Sequence, residues 1–223
     1  MNTFFPGNES RLLLGVTGGI ATGKTAVAKM LEELGAPIVD FDVLARVVVE
    51  PGKPAYEQIV AFFGEEVLQK DGNIDRKRLS DIVFKDVEKR KKLEGFTHPQ
   101  IGVEFVKRVN EITAANPNAI IQVAVPLLIE ANLQHLFHKI LIVYTSRETQ
   151  IERLVLRDGI TEEEATRILD AQLPIDEKVG YADFVVNNEK GLEETRKQVE
   201  ELWKQLKDLQ KQGGAGDATL SSD

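Results

Sequence analysis

The sequence predicts an α/β fold, a parallel sheet covered by helices on both faces. Short apolar runs alternate with segments of helical periodicity. A glycine-rich loop joins the first apolar run to the first helix, and polar or charged residues follow almost every later run. Crossovers of this kind are right-handed, and ligands gather at the carboxyl ends of the strands.

Leu12-Leu13-Leu14-Gly15-Val16 reads as a strand buried on both faces. Gly18-Gly19-Ile20-Ala21-Thr22-Gly23-Lys24-Thr25 follows and fits G-x-x-x-x-G-K-[ST]. Val27, Met30, Leu31 and Leu34 then recur at helical spacing, with Gly35 as the stop. Strand, glycine loop and helix are the context in which this motif cradles a triphosphate. Gly18 and Gly23 are expected to take backbone angles closed to other residues, so that amides turn inward as an anion nest. The helix N-terminus adds donors and the positive end of its dipole. Lys24 reaches the β- and γ-phosphates, and the Thr25 hydroxyl is a Mg²⁺ ligand.

Ile38-Val39-Asp40-Phe41-Asp42 predicts a second strand ending in acids, close to the cradle strand. Residues 43–49 are helix-compatible and carry Arg46. Residues 56–116 read as a helical insertion without a clear strand. Asp75 and Asp86 are its candidate caps, Asp71-Gly72-Asn73 is a turn, and His98-Pro99 opens a separate longer helix. Strands return at 119–125 and 139–144. Residues 147–157 are helical, Thr161 with Glu164 is a capping box, and residues 183–186 form a last strand. Leu192, Val199, Leu202, Trp203, Leu206 and Leu209 stripe a final amphipathic helix, with Trp203 in the core. Residues 1–10 are expected to be flexible and 213–223 to be a disordered tail.

The 223 residues carry a net charge of −8, the wrong sign for gripping a nucleic-acid backbone. The run Lys89-Arg90-Lys91-Lys92 has Asp86 and Glu88 beside it and reads as a solvated helix face. With no cysteine, thiolate chemistry and disulfides are excluded. No signal peptide or membrane-length apolar run is seen, so a cytoplasmic protein acting on small molecules is expected, with no nucleic-acid or membrane partner.

A kinase acting on a hydroxyl needs a carboxylate to accept or orient its proton. Asp42 is the first candidate and Asp40 the second; either could instead cap a helix or hold Mg²⁺ through water. Arg46, one turn beyond Asp42, suits a substrate phosphate. Arg147, Arg153, Arg157 and Arg167 follow the fourth strand, and at least one is expected to reach the transferring phosphoryl group. His135 and His138 are read as surface or capping residues. Neither D-x-x-G nor N-K-x-D occurs, which argues against a GTP switch.

Several stretches together resemble dephospho-coenzyme A kinases. They are Leu14-Gly15-Val16-Thr17-Gly18-Gly19-Ile20, Val39-Asp40-Phe41-Asp42-Val43-Leu44-Ala45-Arg46, Asp71-Gly72-Asn73-Ile74-Asp75-Arg76, Phe96-Thr97-His98-Pro99 and Val125-Pro126-Leu127-Leu128-Ile129-Glu130. Later come Arg157-Asp158-Gly159, Ala171-Gln172, Lys178 and Ala182-Asp183-Phe184-Val185-Val186-Asn187-Asn188. The resemblance covers about residues 11–206. It implies a three-layer P-loop kinase fold with ATP, Mg²⁺ and dephospho-coenzyme A as partners, in a monomer or small homo-oligomer. The implied layout is a nucleotide core (11–55, 117–146 and 181–212), a helical substrate-binding insertion (56–116) and a helical lid (147–180). The implied catalytic residues are Asp42, Lys24 and Arg157. Residues 18–25 hold the nucleotide; Asp42, Arg46 and His98 hold the acceptor.

The family pattern commonly has Gly where Ala21 stands and Ala where Phe41 stands. Ala21 is compatible provided that its φ is not positive. Phe41 is expected to point away from Asp40 and Asp42 and fill core. A nucleoside monophosphate kinase, which shares core and lid, and a non-catalytic nucleotide-binding regulator are the competing readings.

Overall fold

The structure, a computed structural model, describes residues 10–215, with side chains to residue 212. Five parallel strands form one sheet: β1 (Leu12–Gly18), β2 (Ile38–Asp40), β3 (Ile120–Ala124), β4 (Lys139–Tyr144) and β5 (Phe184–Asn187). Their order is β2-β3-β1-β4-β5. Strand β1 is central, with Val16 opposite Ala124 on one side and Gly18 opposite Val143 on the other. Every residue of β1 and β3 is buried, as expected of continuous apolar runs covered on both faces.

The helices are α1 (Lys24–Glu33), α2 (Phe41–Val47), α3 (Pro54–Phe63), α4 (Arg76–Lys85), α5 (Val87–Ala115), α6 (Arg147–Asp158), α7 (Glu162–Asp170), α8 (Ile175–Val179) and α9 (Leu192–Ala215). The chain divides into two compact units, residues 41–109 and the remainder.

In the sheet-bearing unit, Val27, Met30 and Leu31 of α1 meet Val199, Leu202 and Leu206 of α9 over Leu14, Val16, Leu141 and Val143. Each such side chain stabilises the fold by roughly 1.5–3 kcal/mol through its removal from water. Trp203 packs against this cluster, partly buried. Gln122 of β3 is fully buried, and its Nε2 donates to Ala28 O at 2.8 Å and Ala36 O at 2.9 Å. One amide thus satisfies two carbonyls where α1 ends and the chain turns into β2. In the other unit, Ile59, Phe63, Val67, Ile74 and Leu79 form a separate core, and the Tyr56 hydroxyl donates to Gly72 O at 2.7 Å.

The caps follow the sequence. Asp75 accepts from Arg78 N, Asp86 from Glu88 N and Lys89 N, and Thr161 with Glu164 makes the reciprocal box. The 89–92 run is exposed, with Lys91 paired to Glu88 and Arg90 to Glu94.

Three expectations are corrected. Strand β2 stops at Asp40, and Phe41 and Asp42 open α2, so strand alternation does not orient them. Phe41 stacks edge-on against Phe105, centroids 5.3 Å apart. Strand β2 is separated from β1 by β3. No break occurs at Pro99: α5 runs through it. A proline lacks one helical donor and crowds the carbonyl four residues earlier. Here that residue is Gly95, and α5 absorbs the missing bond; separately, the Thr97 hydroxyl back-bonds the Leu93 carbonyl at 2.9 Å.

Residues 1–9 and 216–223 lie outside the described residues, as does most of the expected tail; the backbone of 213–215 closes α9. Among the described residues no helix is long and apolar enough to cross a membrane.

Candidate active site

The cradle links β1 to α1 at the carboxyl edge of the sheet. Gly18 does not take a positive φ, contrary to expectation. It is required for space, since a Cβ there would stand 2.7 Å from both Thr22 Oγ1 and Val143 O. The left-handed backbone lies at Ala21 (φ +61°) and Gly23 (φ +86°). The condition set on Ala21 therefore fails: the position does need positive φ. Such a conformation costs an alanine about 1–2 kcal/mol. Part of that is offset by packing, because Ala21 and Ile20 lie against Leu154, Ala165 and Leu169 of α6 and α7.

Changes of backbone hand along such a loop turn amides toward one concave side. The carbonyls then face outward, and those of residues 19–22 are each held. Gly19 O accepts from Thr22 Oγ1 at 2.9 Å, and Ile20 O from Gln150 Nε2 at 2.7 Å. Ala21 O accepts from Arg153 Nη1 at 3.4 Å, and Thr22 O from Asn188 Nδ2 at 2.8 Å. Asn188 is itself fixed: its Oδ1 accepts from Thr195 Oγ1 at 2.8 Å, and its carbonyl accepts from Arg153 Nη2 at 2.8 Å. Its amide also occupies the position a Cβ on Gly23 would need, so Gly23 is constrained by space as well as by φ.

Lys24 and Thr25 start α1, Lys24 half-buried and Thr25 exposed. Thr25 offers a hard oxygen at the helix N-terminus, a donor type that fits Mg²⁺, which keeps several of its waters. Asp40 closes β2 opposite Ala124.

The candidate arginines have distinct partners. Arg147 pairs with Asp170 at 2.7 Å, linking α6 to α7. Arg153 grips the cradle from outside. Arg157 bonds both Asp158 oxygens, at 2.7 and 2.8 Å. Those bonds raise the Arg157 pKa and lower that of Asp158. Lys178 of α8 is fully buried, its ammonium 2.7 Å from Glu130 Oε1 at an angle too oblique for a directed hydrogen bond. The contact is therefore an ion pair first.

Asp42, Arg46 and His98 belong to the other unit and are exposed there. Arg76, also in that unit, has its pKa lowered by burial and then by the nearby positive charge of Arg46. Two guanidiniums that repel each other are a favourable setting for an anion. His135 Nδ1 meets Asn132 O at 2.9 Å, and His138 Nδ1 accepts from Leu13 N at 2.9 Å, so both histidines serve the backbone.

Gln150, Asn188 and Thr195 were not picked out as site residues by their sequence. Asn188 carried one usable signal, a polar residue directly after a strand; Gln150 lies on an ordinary-looking helix face.

A phosphate cradle on the central strand of a five-stranded parallel sheet defines a P-loop kinase fold. The profile described as dephospho-CoA kinase matches residues 12–194. The chain is 48% identical to the dephospho-CoA kinase of Geobacter metallireducens over 192 residues, 86% of this chain and 95% of that one. To the enzyme of Listeria monocytogenes it is 44% identical over 186 residues, 83% and 92% of the two chains. Among solved structures, a Thermus thermophilus protein superposes with a TM-score of 0.75 at 29% identity, covering 87% of this chain and 97% of that one. Dephospho-CoA kinase from Campylobacter jejuni gives 0.62 at 28%, covering 88% and 98%. The chain belongs to the dephospho-CoA kinase family, whose members use ATP to phosphorylate the 3′-hydroxyl of dephospho-CoA and so complete coenzyme A.

Proposed function

We propose that this chain carries out the family reaction with the following division of labour. The cradle of residues 18–25, through the amides left free by the Ile20 N–H bond to Gln172 and the Thr22 N–H bond to Gly19 O, and the Lys24 ammonium hold the β- and γ-phosphates of ATP. Thr25 holds Mg²⁺, which when bound neutralises charge on the phosphates. Asp42 accepts or orients the proton of the ribose 3′-hydroxyl as its oxygen attacks the γ-phosphorus and the bond to ADP breaks. Arg46, with Arg76 near it, holds phosphate groups of the acceptor, and His98 contacts the acceptor from α5. Residues 147–180 act as a lid whose arginines, Arg157 first, shield the charge that spreads over the equatorial oxygens. A closed lid also keeps water from taking the phosphoryl group. The work is done in the cytoplasm, on free substrates, by a monomer or small homo-oligomer.

The observation that supports this reading most is the clamping of four consecutive cradle carbonyls, which leaves the remaining amides of the loop available to an anion. The test is an acceptor panel with γ-labelled ATP. Label appearing in coenzyme A, and not in nucleoside diphosphates, is the expected result. Transfer to nucleoside monophosphates, or to no acceptor, would overturn it.

A further inference from the structure

Ile20 is the one cradle residue gripped through both of its backbone groups by glutamine side chains from distant segments. Gln150 Nε2 donates to its carbonyl at 2.7 Å, and Gln172 Oε1 accepts from its N–H at 3.2 Å. Gln150 is buried on α6; Gln172 is half-buried in the link between α7 and α8. That link is anchored in turn, because Glu130 Oε1 accepts from Leu173 N at 3.3 Å while pairing with buried Lys178.

These contacts fix the torsions of Ile20 from both sides. Immediately after it, the chain turns left-handed at Ala21. The direction in which the following amides point is therefore set at Ile20. Loss of the Gln172 acceptor would leave the peptide between Gly19 and Ile20 held only at its carbonyl, by the Thr22 hydroxyl and N–H, and the amides beyond it, with less restraint, would spread over more orientations.

We propose that Gln172 is a positioning residue for phosphoryl transfer: it holds the Ile20 N–H away from the phosphates and thereby orders the cradle for the transition state. It acts through Ile20, and Glu130 with Lys178 sets where it stands. Gln172 restrains a single amide from outside the loop while the clamps on the cradle carbonyls stay in place, and donors aimed at the charge that develops in the transition state are the most sensitive to orientation, so the effect falls mainly on kcat.

The inference rests on the kinase reading above, and one experiment separates the two. Gln172→Met keeps length and removes the acceptor; Gln172→Glu keeps an acceptor at the same place. Amide hydrogen exchange at Ile20, melting temperature, nucleotide affinity and steady-state kinetics are measured for the wild type and both variants. The expected pattern for Gln172→Met is exchange at Ile20 faster by about tenfold, kcat lower by about tenfold, ATP affinity within about threefold and Tm within about 2 °C of wild type. Gln172→Glu restores slow exchange and most of kcat, with a raised KM for ATP from the added negative charge. Unchanged exchange at Ile20 in Gln172→Met overturns the contact. Faster exchange with unchanged kcat, or a kcat loss that Gln172→Glu does not reverse, overturns the role. Faster exchange in an otherwise active series of nucleotide binders whose wild type transfers nothing to dephospho-CoA overturns the kinase reading and the role together, while leaving the contact standing.

Discussion

Replacing Asn188 by aspartate tests the cradle scaffold with a change of one atom. Asn188 Nδ2 lies 2.8 Å from Thr22 O, and Oδ1 accepts from the Thr195 hydroxyl. The residue is 5% exposed, so water cannot substitute freely. In Asn188→Asp the donor becomes a second acceptor facing a carbonyl. A buried carbonyl left without its donor costs roughly 1–3 kcal/mol, and the added buried charge raises this, giving about 3–4 kcal/mol in all. For a chain of this length each kcal/mol moves Tm by roughly 2–4 °C, so a fall of about 6–16 °C is expected. Thr22 O is one of the clamped carbonyls, so ATP affinity measured by calorimetry should also weaken by at least about tenfold. Lowering the pH until the new carboxyl is protonated should recover part of both losses. An Asn188→Asp protein that melts within about 2 °C of wild type and binds ATP equally well would refute the claim that outward carbonyl clamping builds the cradle.

Other expectations are sharper in activity than in stability. Asp42→Asn should retain ATP binding and lose at least about a hundredfold in kcat, read in a coupled ADP-release assay, as befits a residue that handles the acceptor proton; turnover near wild type would remove Asp42 from that role. Lys24→Ala should weaken both ATP affinity and kcat, each by about tenfold or more, checked by calorimetry and by the same assay. Glu164 has its pKa lowered, chiefly by the hydrogen bond from the Thr161 amide and then by the hydroxyl. A folded-state pKa below the unfolded one contributes stability above about pH 4.3 that is lost as pH falls through the folded value. Tm of the wild type should therefore drop more steeply from pH 5 to pH 3 than that of Glu164→Gln, which cannot titrate; parallel curves would show that the box does not respond to acid.

Much of the fold was legible because strongly local rules governed it. Continuous apolar runs marked β1, β3 and β4, and capping residues marked the starts of α4, α5 and α7. The misses were cases in which a neighbour outvoted a local preference. At Pro99 the sequence said helix start, but the helical turns on either side carry α5 through it. At Ala21 the sequence made alanine compatible only if φ is not positive, yet φ is +61° and packing against α6 and α7 supports it. The cradle itself could be read from its spacing. Its support largely could not, because Gln150, Gln172 and Asn188 bond it across 130, 152 and 166 positions of chain; only Asn188, placed directly after a strand, carried a local hint.

The central seat of β1 has a consequence for how the protein is made. Its two sheet neighbours are β3 and β4, and Leu13 bonds His138 across 125 positions. On the ribosome, β1 is made before either of its sheet neighbours and waits unpaired until the insertion that separates it from them has emerged. Contacts of such long range close slowly and leave an apolar strand exposed meanwhile. The phosphate motif thus sits on a strand whose two sheet neighbours both come much later in the chain. A nascent chain halted before β4 would carry the complete phosphate motif and have no rigid frame in which to use it.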